Sequence, residues 1–570
     1  MAVQRFKVAL NNARMPLVST QAQRAVFVPG LDTAPRTSRQ FTGSETSIDY
    51  NLAQVIFSEN VMPTAQGISS VGYSQRIAAK PGAVDFDSVF ALKDADENTV
   101  LYSPAGGNNY VHDPVTGLWA GTPLSSLHPG FLSFNRSPAL CPVSYCYVEG
   151  FTFVCFGGLT VTTGSGTVDA SIYWWNPATK LLAPAPTSKY TNLPFTAGTS
   201  NGIGSSNGNL IVYSGIEIAW APFDGSVFNF ESYANNAFTG AGVQTPEDVQ
   251  GNIRAVIALP GGFLAFTDKN CIAATYTASN LSTPWIFREV ANAGGIESYE
   301  QCTVEGSLGI CYAFTTAGLQ RLSLNQAESA FPDVGDFIAG RYIERINTAD
   351  VSRISGSTTL DLFIKLSSVG NRYIVISYGT MKNRFTHALV YDIGLERWGK
   401  LAVRHRDCFY YNYGTTTGNY TYIMVPEPYD SPLLTTYDAT AGISNAFTSA
   451  QHAIAFVTEG GQVITADWSG ALRETEDQAV AMIGRIQLTR TSNTQFNRVE
   501  LDGFKSGSAF ISVSTDGGDI QPAVPLILIS QSPQTAVFGE LLDGRNITLI
   551  VKGTFQLSTA IIEATTSGRM

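Results

Sequence analysis

Leu389-Val-Tyr-Asp-Ile-Gly-Leu-Glu-Arg-Trp-Gly-Lys-Leu401 decides the fold. A run of apolar and aromatic residues ends in an Asp, turns, and returns through a Trp, which is the pattern of a β-hairpin. Looser copies are Tyr110-Val-His-Asp-Pro-Val-Thr-Gly-Leu-Trp119, Tyr173-Trp-Trp-Asn-Pro-Ala-Thr-Lys-Leu-Leu182, Ile218-Ala-Trp-Ala-Pro-Phe-Asp-Gly-Ser-Val-Phe228 and Ile464-Thr-Ala-Asp-Trp468. A degenerate unit returning about every 50 to 75 residues predicts sheets stacked radially, as in a β-propeller. The expected class is all-β: a β-propeller-like body with an N-terminal extended arm and a C-terminal β-sandwich.

Around these hairpins the chain alternates strands and turns from about residue 61 to 480. Val89-Phe-Ala-Leu-Lys93 with Thr99-Val-Leu-Tyr102 reads as one hairpin, and Phe263 to Tyr276 as another. Leu360–Leu366, Tyr373–Tyr378, His387–Asp392 and Arg397–Val403 read as four successive strands of one blade. Helical signal is scarce. Thr245-Pro-Glu-Asp-Val-Gln250 has the N-cap, N1 proline and acidic first turn of a short helix, and Asn325-Gln-Ala-Glu-Ser329 is a second possibility. From about 481 to 570 regular alternation in Arg485–Thr489, Arg498–Asp502, Ala509–Ser514, Pro525–Ile529 and Asn546–Lys552 predicts a sandwich of five or more strands.

Residues 1–60 are Pro-punctuated and basic, an extended arm expected to lie on another surface, either the body of its own chain or a neighbouring chain. In residues 1–40 the bases Arg5, Lys7, Arg14, Arg24, Arg36 and Arg39 face one acid, Asp32, for a net +5. These six are the candidate residues for docking to an adaptor or a neighbouring subunit, and removing residues 1–40 is expected to leave the body folded. Residues 481–570 balance, so the overall charge of -11 places -16 on residues 41–480. An acidic body does not grip phosphate, since affinity for nucleic acid comes from counterion release by Lys and Arg.

Only 14% of the 570 residues are charged against 44% hydrophobic, below the roughly 25% charged that is usual. That balance favours surfaces buried against sister subunits. The seven cysteines follow no framework spacing and sit in apolar runs such as Phe153-Val-Cys155-Phe, so they read as small buried thiols. Neither a secretory leader nor an apolar run of about 18 residues is found, so membrane insertion is not expected.

Motifs that could carry chemistry have ready structural explanations. His405-Arg-Asp407-Cys-Phe-Tyr-Tyr-Asn412 fits a kinase catalytic-loop pattern, yet no glycine-rich phosphate loop or D-F-G accompanies it. Ser514-Thr-Asp-Gly-Gly518 reads as a hairpin turn, with Gln521 where an Asp-box would need Trp. Asp94-Ala-Asp96-Glu-Asn98 begins like a calcium loop but has Thr99 and Ala105 at the positions needing Gly and Glu, and reads as a solvated turn. The histidines 112, 128, 387, 405 and 452 are scattered without metal-ligand spacing, although a triad of residues distant in the chain stays open. Glu297/Glu300, Asp85/Asp87 and Glu474/Glu476 are the acid pairs a glycosidase could use, with acidic surface the simpler reading. No catalytic, cofactor-binding or metal-binding residue is assigned, and no enzymatic activity or cofactor is expected.

The segments Gly262-Phe-Leu-Ala-Phe-Thr267, Gly309-Ile-Cys-Tyr-Ala-Phe-Thr-Thr-Ala-Gly318 and Leu389-Val-Tyr-Asp to Trp398 resemble the tail nozzle, or tail hub, proteins of short-tailed bacteriophages. The likeness continues through Asn497-Arg-Val-Glu-Leu-Asp-Gly-Phe504, Phe510 to Gly518 and Ile547 to Lys552, covering roughly residues 250–570. The resemblance implies a homo-oligomeric ring, usually a hexamer, below the head-to-tail adaptor protein. It implies tail fibre, spike or plug proteins as further partners, and double-stranded DNA held in or passing through the ring without sequence-specific binding. The implied location is the virion tail, assembled in the host bacterial cytoplasm. The alternative, suggested by 24 Tyr and seven Trp that could stack on sugar rings, is a carbohydrate-binding or depolymerising phage fibre protein.

Overall fold

A computed structural model describes residues 3–9, 49–52 and most of 55–231, 240–329, 363–413 and 451–566; statements below concern these residues. They are strands joined by turns, with short 3-10 turns such as Leu124–Leu127 and Tyr299–Gln301 and no α-helix among the described residues.

Seven antiparallel four-stranded blades follow one another along the chain, six of them separate sheets and one the end of a larger sheet. Blade 1 runs from Phe90–Lys93 to Leu118–Pro123, blade 2 from Val143–Val148 to Leu181–Pro184, and blade 3 from Gly202–Ser206 to Gly242–Gln244. Blade 4 runs from Ile253–Leu259 to Trp285–Glu289, blade 5 from Cys302–Glu305 to Ala327–Ser329, and blade 6 from Phe363–Val369 to Arg397–Leu401. Blade 7 has His405–Tyr413, Gln451–Thr458 and Val463–Asp467, and takes its fourth strand, Gly72–Ala78, from the chain ahead of blade 1. That borrowed strand closes the ring.

Closure is also visible in the packing. The first strands of blades 2 to 7 touch in order, and that of blade 7 touches that of blade 1. Phe90 and Tyr145, with ring centroids 5.1 Å apart, link blades 1 and 2. Each seam has its own apolar cluster: Tyr102 with Phe156 and Trp175 between blades 1 and 2, Phe153 with Ile203 and Leu210 between 2 and 3, and Tyr213 and Trp220 with Phe263 and Trp285 between 3 and 4. Leu264 and Phe266 with Cys311 and Leu322 fill the 4–5 seam, Tyr312 with Ile364 and Leu366 the 5–6 seam, and Val375 and Val390 with Ile454 and Phe456 the 6–7 seam. Val457 and Val463 with Leu101 and Tyr110 fill the last, between blades 7 and 1. Aromatic and β-branched residues suit this arrangement, since both faces of every blade are covered.

In blades 1, 2 and 6 the repeated hairpin of the sequence is the junction of strands three and four; in blade 3 it leads from the third strand into Phe228–Asn229, which pairs with Tyr190–Thr191, and in blade 7 Ile464–Trp468 ends the third strand, whose fourth partner is Gly72–Ala78. The hairpin's Asp or Asn fixes the turn: Asp392 accepts from the Leu395 N–H at 3.1 Å, Asn176 from Ala178 at 3.1 Å, and Asp224 from Ser226 and Val227, both at 2.8 Å. Its aromatic packs the blade, as Trp398 does against Tyr391 at 4.9 Å. Blades 4 and 5 lack the signature, because their third strands, Cys271–Tyr276 and Gly318–Leu322, turn without that Asp and Trp pairing.

Apart from two small sheets, Phe131–Phe134 with Thr160–Thr163 and Gly166–Asp169, and Tyr190–Thr191 with Phe228–Asn229, the remaining strands form two facing sheets. One holds Val55–Glu59, Val480–Gln487, Asn546–Thr554, Gly507–Thr515 and Val524–Leu528. The other is continuous with blade 6: beyond Arg397–Leu401 come Val61–Thr64, Gly67–Ser70, Gln556–Thr566, Val3–Ala9 and Asp49–Leu52, with Thr494–Gly503 and Gln534–Gly544 alongside. Their shared core contains Phe496, Val499, Ile511, Val551 and Ile562. Close approach at the join requires glycine. A Cβ on Gly67 would meet the Leu557 carbonyl, and one on Gly399 would meet Met62.

Several expectations change. The boundary drawn at residue 60 is not a structural one: Val3–Ala9 pairs antiparallel with Gln556–Thr566, and Val55–Glu59 pairs with Val480–Gln487. These extended segments find partners in the sandwich sheets, so deletion of residues 1–40 removes a strand rather than a free arm. Thr245–Gln250 is a turn rather than a helix, because Asn270 and Thr267 satisfy its backbone: Asn270 donates to the Asp248 carbonyl at 2.9 Å and Thr267 to that of Gln250 at 2.9 Å. Asn325–Ser329 likewise enters a strand, Ala327–Ser329, after a turn held by Ser323.

Candidate functional site on the propeller axis

Along each first strand, alternate side chains point toward the axis. On blade 2 the pattern is clear: Ser144, Cys146 and Val148 are buried, whereas Tyr145 and Tyr147 are 48% and 68% exposed. Partial desolvation, and after it the Asp407 carboxylate, pushes the Tyr145 phenol pKa up.

On the opposite side, blades 5, 6, 7 and 1 are joined by charge. Lys365 Nζ lies 2.7 Å from Asp407 Oδ1 and 3.6 Å from Glu300 Oε1. Asp407 Oδ2 also accepts from the Val89 N–H at 3.3 Å, and Oδ1 from the Cys408 N–H at 2.8 Å. Burial alone would lower the lysine pKa, but the two carboxylates outweigh it and hold the ammonium charged, above its ordinary value. Glu300 is positioned by the turn Ser298–Gln301, where the Ser298 hydroxyl accepts from the Glu300 N–H at 3.3 Å.

The His405-Arg-Asp407 motif lies on a strand and is split by a β-bulge between His405 and Asp407. His405 faces blade 6, with Nδ1 2.8 Å from the Val403 carbonyl and Nε2 2.7 Å from the Ser377 hydroxyl. A carbonyl cannot donate, so Nδ1 carries the hydrogen and Nε2 accepts from Ser377. Burial between Phe385 and Phe456 pushes the histidine down to about 4. Cys408 sits 4.0 Å from Ser377, with its thiol pushed up to about 11 by burial. Serine, histidine and cysteine therefore meet, but in a sealed core: Ser377 and His405 are 0% exposed. No substrate reaches them.

The other flagged residues are dispersed. Arg5 and Lys7 lie on Val3–Ala9, in register with Glu563 and Ile561; Arg14, Arg24, Arg36 and Arg39 fall outside the described residues. Asp94 is buried, not solvated: it pairs with Lys180 at 3.2 Å and accepts from the Asp96 N–H at 3.0 Å. Of the acid pairs, Glu297/Glu300 is described and Glu300 is committed to Lys365; Asp85/Asp87 and Glu474/Glu476 lie outside the described residues. All seven cysteines are buried and free, and no His, Cys, Asp and Glu cluster able to hold a metal occurs among the described residues. Sequence reasoning missed Lys365, Tyr145 and Tyr147. The alternation in Ser144-Tyr-Cys-Tyr-Val148 put both tyrosines on one side of a strand, but nothing local said that this side was the axis.

No family model and no curated protein matches the sequence. Among solved structures, the chain is similar to PorZ, an essential surface component of the type-IX secretion system of Porphyromonas gingivalis, at 10% identity and TM-score 0.35, covering 85% of this chain. This chain spans 65% of PorZ, less than two thirds of its length. An exo-β-1,3-galactanase of Phanerochaete chrysosporium matches at 8% identity and TM-score 0.23, covering 84% of this chain and 99% of that one. Hsv2 of Kluyveromyces lactis matches at 9% identity and TM-score 0.22, covering 56% and 97% respectively. Likenesses this distant say nothing of activity.

Proposed function

We propose that this chain is a structural component of a multimeric assembly, a tail nozzle or hub subunit of a short-tailed bacteriophage, rather than an enzyme. The observation that carries the reading is the sheet running unbroken from blade 6 through Val61–Ser70 into Gln556–Thr566 and Val3–Ala9. It makes propeller and sandwich one stiff piece, as suits a wall that must hold pressure and not a pair of jaws that must close. The low charge content leaves surface suited to contacts with sister subunits.

The propeller axis is not the passage for DNA. The inner strands of neighbouring blades touch, Lys365 meeting Asp407 and Phe90 meeting Tyr145, which argues for an axis narrow beside a duplex, whose major groove alone is about 12 Å wide. A conduit in this reading lies between copies of the chain, walled by the acidic residues of the body.

Mass photometry of the chain, alone and co-expressed with a head-to-tail adaptor, tests the proposal. Closed rings, six copies for the nozzle architecture, are expected at least with the adaptor. A monomer in both preparations would overturn it.

A further inference from the structure

At the far ends of the first strands of blades 2, 3 and 4 lies an open cleft of about 270 Å³. Its lining includes Tyr147, Glu149, Ser205, Asn207, Gly208 and Ala258. The tyrosine ring is the largest exposed surface there, and its neighbours Ser205, Gly208 and Ala258 are too short to cover it. Two turns form the rim. Glu149 and Asn207 both hold left-handed backbone, at φ 47 each, followed by Gly150 at φ 81 and Gly208 at φ 73. A Cβ on Gly208 would stand 2.8 Å from Glu149 Oε1, so the missing side chain is what lets the carboxylate lie across the second turn. Ser205 gives its proton to the Tyr147 carbonyl at 2.9 Å, which leaves its oxygen free to accept.

We propose that this cleft is a saccharide subsite that takes one neutral pyranose ring. The apolar face of the sugar stacks on Tyr147, and its hydroxyls donate to the Glu149 carboxylate and the Ser205 oxygen. The volume equals roughly nine waters at about 30 Å³ each, below the 300–1,000 Å³ of drug-sized sites, so it fits one ring rather than a chain. Glu149 disfavours acidic sugars. A single aromatic does not build the cage that selects a quaternary ammonium. The subsite goes beyond the structural role and does not depend on it: a wall protein can carry a surface lectin site, and a monomer could carry it equally well.

Saturation-transfer NMR on the full chain provides the test, with the methyl glycosides of glucose, galactose, mannose and N-acetylglucosamine as probes and choline as the cationic control. At least one glycoside should receive transfer at millimolar concentration. Tyr147→Phe should keep it, Tyr147→Ala should weaken binding at least tenfold, and Glu149→Gln should weaken it several-fold, with melting temperatures unchanged because both side chains are exposed. Absence of transfer to every glycoside, equal transfer in Tyr147→Ala, or binding of choline alone would overturn the subsite.

Discussion

The two sides of the propeller axis use one topological position for opposite ends. On the side of blades 5, 6, 7 and 1, axial residues are Glu300, Lys365 and Asp407, and they bond to one another and to the Val89 backbone. On the side of blades 2, 3 and 4 they are Tyr145, Tyr147, Ser205 and Ala258, uncharged and open to water. The charged side lies where the ring is closed by a borrowed strand, the open side where the blades follow one another without interruption. A seam made from distant parts of the chain gains from direct cross-links, whereas the uninterrupted side can leave its axial surface to a ligand.

The largest effect expected is at Asp407. Its change to Ala leaves the buried ammonium of Lys365 with only the more distant Glu300 and should cost roughly 3 kcal/mol by chemical denaturation. The double variant Lys365→Met with Asp407→Leu should be clearly less damaging than the single change. Should Asp407→Ala prove neutral, the charged side would not be a fastening.

A somewhat smaller effect is expected from pH. His405 binds its proton near 4 in the fold against 6.5 unfolded, so between these values the unfolded chain holds more protons and stability rises with pH. Its contribution is complete above about 6.5 and is lost as the pH falls toward 4, by up to about 3 kcal/mol. The ring is faced by Phe385, Phe456, the Ser377 hydroxyl and the Val403 carbonyl, with the charge of Lys365 and the imidazole of His387 also felt. Comparing wild type with His405→Gln across this range isolates it: the variant should lose less stability on acidification, and parallel curves would refute the assignment.

Smaller again is Lys180→Ala at the seam of blades 1 and 2. Asp94 is buried but Lys180 is about half exposed, so the loss should be about 0.2–1 kcal/mol in the same denaturation assay. At the bottom of the scale, Tyr147→Ala should change stability by less than about 0.5 kcal/mol. A large loss there would erase the contrast between the two sides, because the tyrosine would then be packing rather than presenting a surface.

Much of this fold was legible locally. The Asp and Trp of the 389–401 hairpin announce a turn and its packing partner, and Asp113 with Trp119 marks strands three and four of blade 1 in the same way. The four strands between Phe363 and Leu401 and the alternation after residue 480 follow from the period of two. Less could be read at the site. His405-Arg-Asp407 looks like one unit in the sequence, but a bulge sends histidine and aspartate to different neighbours. Lys365 is an ordinary strand residue until Asp407 and Glu300, 42 and 65 positions away in the chain, are brought against it.

By itself, then, the sequence determined strands, turns and the all-β character, since these depend on residues a few positions apart. Tertiary structure alone decided that Gly72–Ala78 closes blade 7, that Val3–Ala9 belongs to the last sandwich, and which side of the axis is fastened and which is open. Those outcomes depend on pairing across hundreds of residues, where main-chain hydrogen bonding accepts almost any extended partner and only the packing of the whole ring selects one.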